Sequence, residues 1–598
     1  MYTVRMNSNP KSNNSYKTQW DLSLIYSGLS DTQIETDITY AESVYRAFAK
    51  KYSGKTDYLA SEEKLAKALK EYVKLIDASV SKPYIFFHFH HDLDSKNSKV
   101  EAKLNMIAER AQKIGNLVVF FSVALSKIPL SLQKKYLNSK VLAPYRYFLS
   151  CAFNQGKYML SEAEEKILNL ESLPAHTLWV QGGQKMLAGR TVVWKGKTIP
   201  LPEALGMLSQ LSTKDRRALG NLCRDQFIAI SEYAESEMNA VVTQKKIEDE
   251  LRGFSTPYAS TVLSYENETE TVERLVSVVT KNFKIAHRFY KAKAKMLGLE
   301  KLEYVDRVAG IGATKREYTF ETSVEIVRTA FAKVDPIYAK VFESFLENGQ
   351  IDVYPKEGKR GGAYCWGTPG MPTFVLLNHT NSFSSVTTMA HEMGHALHST
   401  FSFVGQPPLY REYTIATAEV ASTLFENFVF EEIFPTLTAK EQIVALHDRI
   451  NDSIQTIFRQ IACFNFELEL HQTIRREGML PKEAMAKLMN KHMSAYLGPL
   501  FTLTDDDGYF FVNWSHIRNF FYVYTYAFGE LVSSALYEMY TENPESREKI
   551  KQFLSAGGSD SPENIFASIG IDVRNPEFFQ KGLKKIEKDI ARLETLVF

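Results

Sequence analysis

The chain has 598 residues, of which 44% are hydrophobic and 24% are charged, and its formal net charge is +1. A chain of this size and composition can bury a large apolar core or divide into several lobes. Its near-neutral charge leaves no overall field to attract nucleic acid or an anionic membrane, so we expect neither as a partner.

The N-terminal residues carry no sign of export. Residues 1–16 are polar and lack the apolar stretch of a secretion signal, and no run in the chain approaches the 18 uninterrupted apolar residues of a membrane span. The four cysteines are scattered without metal-ligand spacing and are too few for a disulfide framework. We therefore predict a cytoplasmic protein.

Helical periodicity dominates the first 300 residues. Apolar side chains recur at helical spacing over residues 32–52, 61–76, 98–125, 161–172, 215–250 and 268–296. Ser98 with Glu101, and Ser161 with Glu164, form capping-box patterns that predict two of the helix starts.

A short hairpin is predicted within this helical part of the chain. Residues 191–194 and 198–201 flank Lys195-Gly196-Lys197, which has the composition of a turn. We place the main domain boundary next to it, with an N-terminal helical lobe over residues 1–200 and a second domain over residues 201–598.

A second group of strand-like segments lies between residues 351 and 377. The segments 351–354, 362–366 and 373–377 are short and are separated by Gly and Pro. An extended peptide can add itself as a strand to the exposed edge of such a sheet through main-chain hydrogen bonds. We therefore predict that Gly362, Ala363 and Tyr364 bind substrate. The alternative is a small sheet that only completes the fold.

The pattern H-E-x-x-H follows, formed by His391, Glu392 and His395, after a stretch that offers a capping serine and then apolar residues. On a helix, two side chains four residues apart project from one face about 5–6 Å apart, so both histidines can bind one zinc ion at roughly 2.0–2.1 Å. Glu392 then lies beside the ion and can act as a base. A buried histidine pair satisfied by its neighbours is the alternative.

The third zinc ligand must come from another segment. A metzincin would need its last histidine at position 401, where this chain has Phe401, so that subclass is excluded. Glu419 follows His395 by 24 residues, enough for a proline-containing loop and a second helix that returns alongside the first. Small residues around Glu419 let the two helices approach closely. Glu412 is the competing candidate, although its neighbours indicate a loop.

Two further residues are assigned supporting roles. Glu426 lies two turns after Glu419 on the same helical face, where it can accept the free N–H of a ligating histidine. His398 is expected either to support the ligands in this way or to be buried near them.

Taken together, these residues resemble oligoendopeptidase F, a branch of the thimet oligopeptidase-like zinc metallopeptidases. The resemblance covers essentially the whole chain and rests on residues 20–22, 362–364, 391–395, 418–423, 514–516 and 521–529. It implies a mainly α fold in which two helical lobes enclose a deep substrate channel, with a small antiparallel β-sheet beside the metal-binding helix. It also implies one Zn²⁺ per chain, bound by His391, His395 and Glu419, with Glu392 activating water.

The late aromatic residues gain a role from the same resemblance. Residues 440–497 and 517–540 again have helical periodicity. Amide hydrolysis needs hydrogen-bond donors for the oxygen that becomes negative, and we predict His516, Tyr522 and Tyr526 as catalytic residues of this kind. On a helix Tyr524 points about 200° away from Tyr522, so we predict substrate binding for it instead. Core packing is the alternative for each.

The sequence thus predicts a zinc endopeptidase that hydrolyses internal bonds of short oligopeptides. The restriction to short peptides comes from the resemblance alone. Two alternatives stay open: a zinc exopeptidase, which would use the same ligands, and a helical peptide-binding protein whose metal site is inactive. The oligomeric state is also open between monomer and homodimer.

Overall fold

Helices account for most of the fold, as the sequence periodicity predicts. The computed structural model describes residues 16–312 and 316–598, apart from the side chains of Glu162 and Lys166. The segment 1–15, most of the stretch predicted to lack a secretion signal, lies outside the described residues. In the part of the chain that is described, every helix is too short or too polar to cross a bilayer.

The helices before residue 300 are α1 (Thr32–Tyr52), α2 (Glu62–Asp77), α3 (Ser81–Leu93), α4 (Ser98–Asn116), α5 (Val119–Ser126), α6 (Leu130–Leu137), α7 (Arg146–Gly156), α8 (Glu162–Ser172), α9 (Leu178–Ala188), α10 (Leu201–Met207), α11 (Thr213–Ile228), α12 (Ser231–Arg252), α13 (Ala259–Ser264), α14 (Thr269–Lys281) and α15 (Lys284–Leu297). The later helices are α16 (Phe320–Val334), α17 (Pro336–Asn348), α18 (Phe383–Gly405), α19 (Ile415–Ile433), α20 (Ala439–Ser453), α21 (Gln460–Glu477), α22 (Lys482–Leu497), α23 (Tyr524–Glu542), α24 (Arg547–Ala556), α25 (Pro562–Ser568) and α26 (Pro576–Val597). One wide π-helical turn, Leu173–Thr177, joins α8 to α9, and another, Ile454–Arg459, joins α20 to α21.

The helix positions agree with the periodicity, but several long predictions divide in two. The ranges 98–125, 215–250 and 268–296 each contain a break between two helices. The capping box of Ser161 and Glu164 is confirmed. The one predicted at Ser98 is wrong, because the side chain of Asn97 accepts the N–H of Val100 and so caps the helix one residue earlier.

The largest difference lies just before α23. Residues 517–523 were predicted to be helical, but Ser515–Arg518 forms only a short 3₁₀ turn and α23 begins at Tyr524. Phe520 and Phe521 between them have φ values of 47° and 63°. Two consecutive left-handed residues end any helix, so the apolar periodicity of this segment reflects burial and not helical structure.

Within residues 16–312 and 316–598, three small sheets complete the fold. The predicted hairpin is confirmed as β1 (Thr191–Trp194) paired antiparallel with β2 (Lys197–Pro200). Strands β3 (Leu302–Glu303) and β7 (Phe501–Thr502) pair in parallel. The sheet beside α18 has the order β4 (Ile351–Asp352), β6 (Phe374–Leu376), β5 (Tyr364–Trp366).

That third sheet is mixed and not wholly antiparallel, which corrects the prediction. β5 pairs antiparallel with β6, whereas β4 pairs parallel with β6. The chain reverses direction between β4 and β5 and again between β5 and β6, so the outer strand β4 and the central strand β6 run the same way. β5 is left at an edge of the sheet.

The buried apolar residues in the described part of the chain form one large cluster and two smaller ones. The large cluster begins at Val192 and includes buried residues from all the helices from α10 to α26. The smaller clusters contain N-terminal residues, and one of them, which includes Trp20, also takes in Phe374 and Leu376 of β6. Trp20 donates its Nε1–H to the Val375 carbonyl at 2.8 Å. The N-terminal region therefore packs on the sheet, while the boundary at residue 200 stays a prediction.

Candidate metal centre and catalytic residues

The H-E-x-x-H pattern lies in the middle of α18, as predicted. The Ser382 side chain accepts the N–H of Ser385 and so caps the helix. Met389 and Met393 are fully buried, which fixes the opposite face of the helix in the core. The side chains of His391 and His395 are 28% and 17% exposed, so this face opens onto the site.

α19 runs close beside α18 because the contact between them is made by small residues. A Cβ added at Gly394 would lie 2.6 Å from the Cα of Ser422 and 2.9 Å from the carbonyl oxygen of Ala421. No larger residue fits at this contact, so Gly394 sets the spacing of the two helices. The close approach brings Glu419 of α19 to the histidines of α18.

The nitrogen and oxygen atoms of these three side chains converge. The Nε2 of His391 is 3.7 Å from Oε2 of Glu419, and the Nε2 of His395 is 4.0 Å from its Oε1. Four tetrahedral ligands at about 2.0–2.1 Å from zinc lie roughly 3.3–3.5 Å from one another. The donor types fit zinc, the ligand atoms of the three residues lie within 4.8 Å of one another, and each histidine nitrogen needs to move closer to Glu419 by less than about 0.7 Å.

Among the described residues, His391, His395 and Glu419 are the group of three that lies close enough to hold a metal. Glu412 lies in the loop between α18 and α19, where its carbonyl contacts Gly558, and it is not part of this group. This arrangement favours Glu419 over Glu412 as the third ligand.

Glu426 contacts the ring nitrogen of His391 that faces away from Glu419, as predicted for a residue that supports a metal ligand. Its Oε2 lies 3.2 Å from Nδ1 of His391, which leaves Nε2 facing Glu419. Burial opposes a charge on His391, but Glu426, Glu392 and Glu419 outweigh burial and raise the pKa of His391 to about 9. Burial and the nearby His391 lower the pKa of His395 well below its usual range. The pocket therefore attracts one positive charge, which is the requirement for binding a cation.

Glu392 lies beside these ligands and is almost completely buried. Burial raises the pKa of its carboxyl to about 7, partly offset by the charge of His391 and by a hydrogen bond from the backbone N–H of Cys365. Cys365 belongs to the edge strand β5, so that strand presents a main-chain donor to the carboxylate. The sequence contained no signal for this contact, because Cys365 contributes its backbone and not its side chain.

His398 lies one turn beyond His395 but does not face the ligands. Its ring stacks on that of Tyr413 with the centroids 3.6 Å apart, and its Nδ1 has no partner among the described residues. Complete burial lowers its pKa to about 3, so the ring is neutral. It packs behind the site, and no hydrogen bond links it to a metal-ligand side chain.

His516, Tyr522 and Tyr526 form one polar cluster. The Tyr522 hydroxyl contacts Nδ1 of His516 and lies 3.4 Å from the Tyr526 hydroxyl. Burial raises the pKa of Tyr522, so its hydroxyl remains a protonated donor. Burial lowers the pKa of His516, which keeps that ring neutral.

α23, which carries Tyr526, packs directly against Glu419. A Cβ added at Gly529 would lie only 2.9 Å from the Cβ of Glu419, so the two helices touch there. Tyr526 lies three residues before Gly529, about 4.5 Å along the helix axis. Tyr526 therefore lies about one helical turn before the point at which α23 touches Glu419.

The predicted role of Tyr524 is not supported by its position. Tyr524 is fully buried, and its hydroxyl donates to Oδ1 of Asn267 at 2.9 Å. The side chain points into the core because α23 begins at this residue and packs on its neighbours from its first turn. A substrate cannot reach it in this conformation.

Gly362, Ala363 and Tyr364 lead into the edge strand β5. Gly362 has a φ of 77°, which favours glycine, and its carbonyl accepts the Asn378 side-chain amide at 2.7 Å. The hydroxyl of Tyr364 donates to Asp92 of α3 at 2.6 Å. α3 of the N-terminal region thus binds a side chain of β5. Substrate binding by these residues stays a prediction.

Comparisons with known proteins agree with this architecture. Residues 222–585 match the model of the family described as Peptidase family M3, and residues 125–188 match that described as Oligopeptidase F. Group B oligopeptidase PepB of Streptococcus agalactiae is 25% identical over 97% of both chains. An oligoendopeptidase F homolog of Lactococcus lactis is 24% identical, also over 97% of both chains.

Solved structures share the fold. A crystal structure from Chlamydophila abortus has a TM-score of 0.86 and 23% identity, and covers 99% of this chain and 100% of that one. The oligoendopeptidase-F of Enterococcus faecium has a TM-score of 0.70 and 19% identity, and covers 95% of this chain and 99% of that one. At this identity the likeness shows the mainly helical, two-lobed fold, which confirms that prediction.

Proposed function

The chain belongs to peptidase family M3, and from this premise we propose that it is a zinc-dependent endopeptidase that cleaves internal bonds of short oligopeptides. The observation that carries the proposal is the convergence of His391, His395 and Glu419, with the buried carboxyl of Glu392 beside them. The names of its relatives, which are oligopeptidases and oligoendopeptidases, support the choice of substrate.

His391, His395 and Glu419 would hold one zinc ion. When bound, zinc supplies a Lewis acid that lowers the pKa of a coordinated water toward about 7. Glu426 keeps the His391 ring oriented through its contact with Nδ1.

Glu392 would move the proton. This buried carboxyl would accept a proton from the attacking water and later return it to the leaving amine. The Cys365 N–H would favour the charged form of this carboxylate between the two steps. His516, Tyr522 and Tyr526 would donate hydrogen bonds to the carbonyl oxygen of the cleaved bond, where negative charge develops.

The edge strand β5 would align the peptide. Main-chain pairing along this edge would place the cleaved bond beside Glu392, because the Cys365 N–H already reaches that carboxylate. Main-chain pairing reads no side chains, which suits an enzyme that accepts many sequences. A channel between the two helical lobes would admit short peptides and exclude folded proteins.

Quenched fluorescent peptides of graded length, blocked at both ends, test the proposal. We expect cleavage that is abolished by a chelator, restored by zinc, and lost as the peptide lengthens. Glu392→Gln should keep zinc but lower activity by about 100-fold or more, because it removes the base and spares the ligands. Cleavage only of peptides with a free end would favour an exopeptidase, and unchanged cleavage by Glu392→Gln would refute the role of that residue.

A further inference from the structure

The segment that carries His516 and Tyr522 has an unusual backbone. Phe520 and Phe521 are consecutive, bulky residues in the left-handed region of φ. Such residues rarely adopt this conformation, and it persists only where the surroundings determine it. The cause must therefore lie in the contacts that the segment makes.

Three main-chain groups of the segment are bound by side chains from other helices. The N–H of Phe521 donates to Oε1 of Glu467 at 3.0 Å, and the carbonyl of Phe520 accepts the Thr261 hydroxyl at 2.8 Å. Nε2 of His176 lies 2.9 Å from the carbonyl oxygen of Arg518. Each strained residue is thus held by a polar contact of its own.

The strongest anchor is a buried ion pair. Arg518 donates from Nε and Nη2 to the two carboxylate oxygens of Glu237 in α12, at 3.0 and 2.8 Å. The side chains of Arg518 and Glu237 are only 5% and 3% exposed. A bidentate pair of this kind fixes orientation as well as distance.

Arg518 also holds the backbone on the other side of His516. Its Nη1 donates to the carbonyls of Phe511 and Trp514 at 2.8 and 3.0 Å. Arg518 follows His516 in the chain and its guanidinium binds two carbonyls that precede His516, so it bridges the segment around this histidine and links it to a helix 281 residues away in sequence.

α9 packs against the same ion pair. A Cβ at Gly183 of α9 would lie 3.1 Å from the Glu237 carboxylate, so α9 covers the pair directly. The π-helical turn that carries His176 leads into α9. Turns of this type occur often at functional sites.

We infer that Arg518 and Glu237 are positioning residues, which hold segment 515–521 in its strained conformation and so place His516 and Tyr522 for catalysis. The inference rests on the proposed function, in which those two side chains serve the reaction. The side chains of Arg518 and Glu237 are buried and bound to each other, so we expect their loss to change the rate of the bound complex and not peptide binding.

Single and double variants separate positioning from stability. Arg518→Met or Glu237→Gln alone leaves a buried charge unpaired, so each should lower the Tm as well as kcat. The double variant Arg518→Met/Glu237→Gln has no unpaired charge and should recover most of the lost Tm. We expect its kcat to remain about 10- to 100-fold below that of the wild type, with KM within about threefold and zinc content unchanged.

Hydrogen exchange gives a readout that is independent of activity. Residues 514–523 should exchange faster in the double variant, while α18 and α19 keep their protection. Arg216→Met is a control for loss of a buried arginine, because Arg216 forms a similarly buried pair with Asp306, which Arg217 also contacts. It should lower the Tm and leave kcat unchanged.

Recovery of kcat together with Tm in the double variant would overturn the inference, since the pair would then be merely structural. If no methionine variant folds, Arg518→Lys is the deciding variant, because it keeps the positive charge but cannot make the bidentate contact with Glu237. A normal kcat with normal hydrogen exchange in this variant would equally overturn the inference. A wild-type protein without chelator-sensitive cleavage would instead refute the proposed function. The exchange experiment would still test whether Arg518 and Glu237 hold segment 515–521.

Discussion

Gly394→Ala tests whether the spacing of two helices creates the metal centre. The added Cβ would lie 2.6 Å from Ser422 Cα and 2.9 Å from the Ala421 carbonyl oxygen. Both are backbone atoms, which cannot rotate away as the end of a side chain could. Because packed carbon atoms lie about 3.5–4.0 Å apart, α18 and α19 must separate there by about 1 Å.

Two opposing effects set the change in stability. Alanine is favoured over glycine inside a helix by up to about 1 kcal/mol, whereas overpacking of this kind costs about 1–3 kcal/mol. Overpacking therefore wins, and we expect a net loss of about 1–2 kcal/mol. The effect on metal binding is larger, because ligand distances tolerate only about 0.2 Å and Glu419 would move with its helix. We expect zinc affinity to fall by at least about 100-fold.

Zinc affinity is measured by competition with a chromophoric chelator, and stability by thermal unfolding of the metal-free protein. Gly206→Ala is the control, because a Cβ at Gly206 in α10 meets nothing within 4 Å. It should leave zinc affinity unchanged and the Tm equal or slightly higher. A Gly394→Ala protein that binds zinc as tightly as the wild type would refute the argument that this contact sets the ligand geometry.

Three more predictions concern the surroundings of the site. Gly529→Ala brings a Cβ within 2.9 Å of the Glu419 Cβ, so zinc affinity measured by chelator competition should fall while the fold is kept. Glu426→Ala removes the partner of His391 Nδ1 and should weaken zinc binding by about 10- to 100-fold in the same assay. Burial raises the pKa of Glu467 from 4.5 to about 8, so this group contributes stability that is full below pH 4.5 and is lost as the pH rises through 8. Glu467→Gln keeps the acceptor for its backbone partner and should lose less stability than the wild type between pH 6 and pH 9 in urea unfolding.

Each of these has a result that contradicts it. Unaltered zinc affinity in Gly529→Ala would mean that α23 shifts to make room for the added Cβ and leaves Glu419 in place. A Glu426→Ala protein with wild-type affinity would show that His391 is oriented by other contacts. Parallel urea profiles of Glu467→Gln and the wild type at the two pH values would show that Glu467 is already charged in the folded protein at neutral pH.

Much of the site could be predicted because its chemistry is local. A spacing of four residues on a helix brings His391 and His395 to one face, whatever the rest of the fold does. The small residues after Glu419 signalled a close helix pair, and Gly394 is the point at which α18 and α19 meet. The same helical repeat placed Glu426 on the face that looks toward His391.

The segment before α23 shows where local patterns stop being informative. Its apolar repeat was compatible with a helix, but side chains from distant parts of the chain bind its backbone in another conformation. Glu467 and Thr261 hold the left-handed residues Phe520 and Phe521. The predicted substrate contact of Tyr524 failed for the same reason, because its hydroxyl has a buried partner in Asn267.

The sequence by itself determined which residues can bind a metal and on which helices they lie, because those properties follow from side-chain chemistry and from a short helical repeat. The tertiary structure alone decided which main-chain and side-chain groups surround them. The Cys365 N–H reaches Glu392 from a strand edge, and Arg518 reaches Glu237 across 281 residues. Contacts of this kind depend on how distant elements pack, and a periodic pattern along the chain contains no record of them.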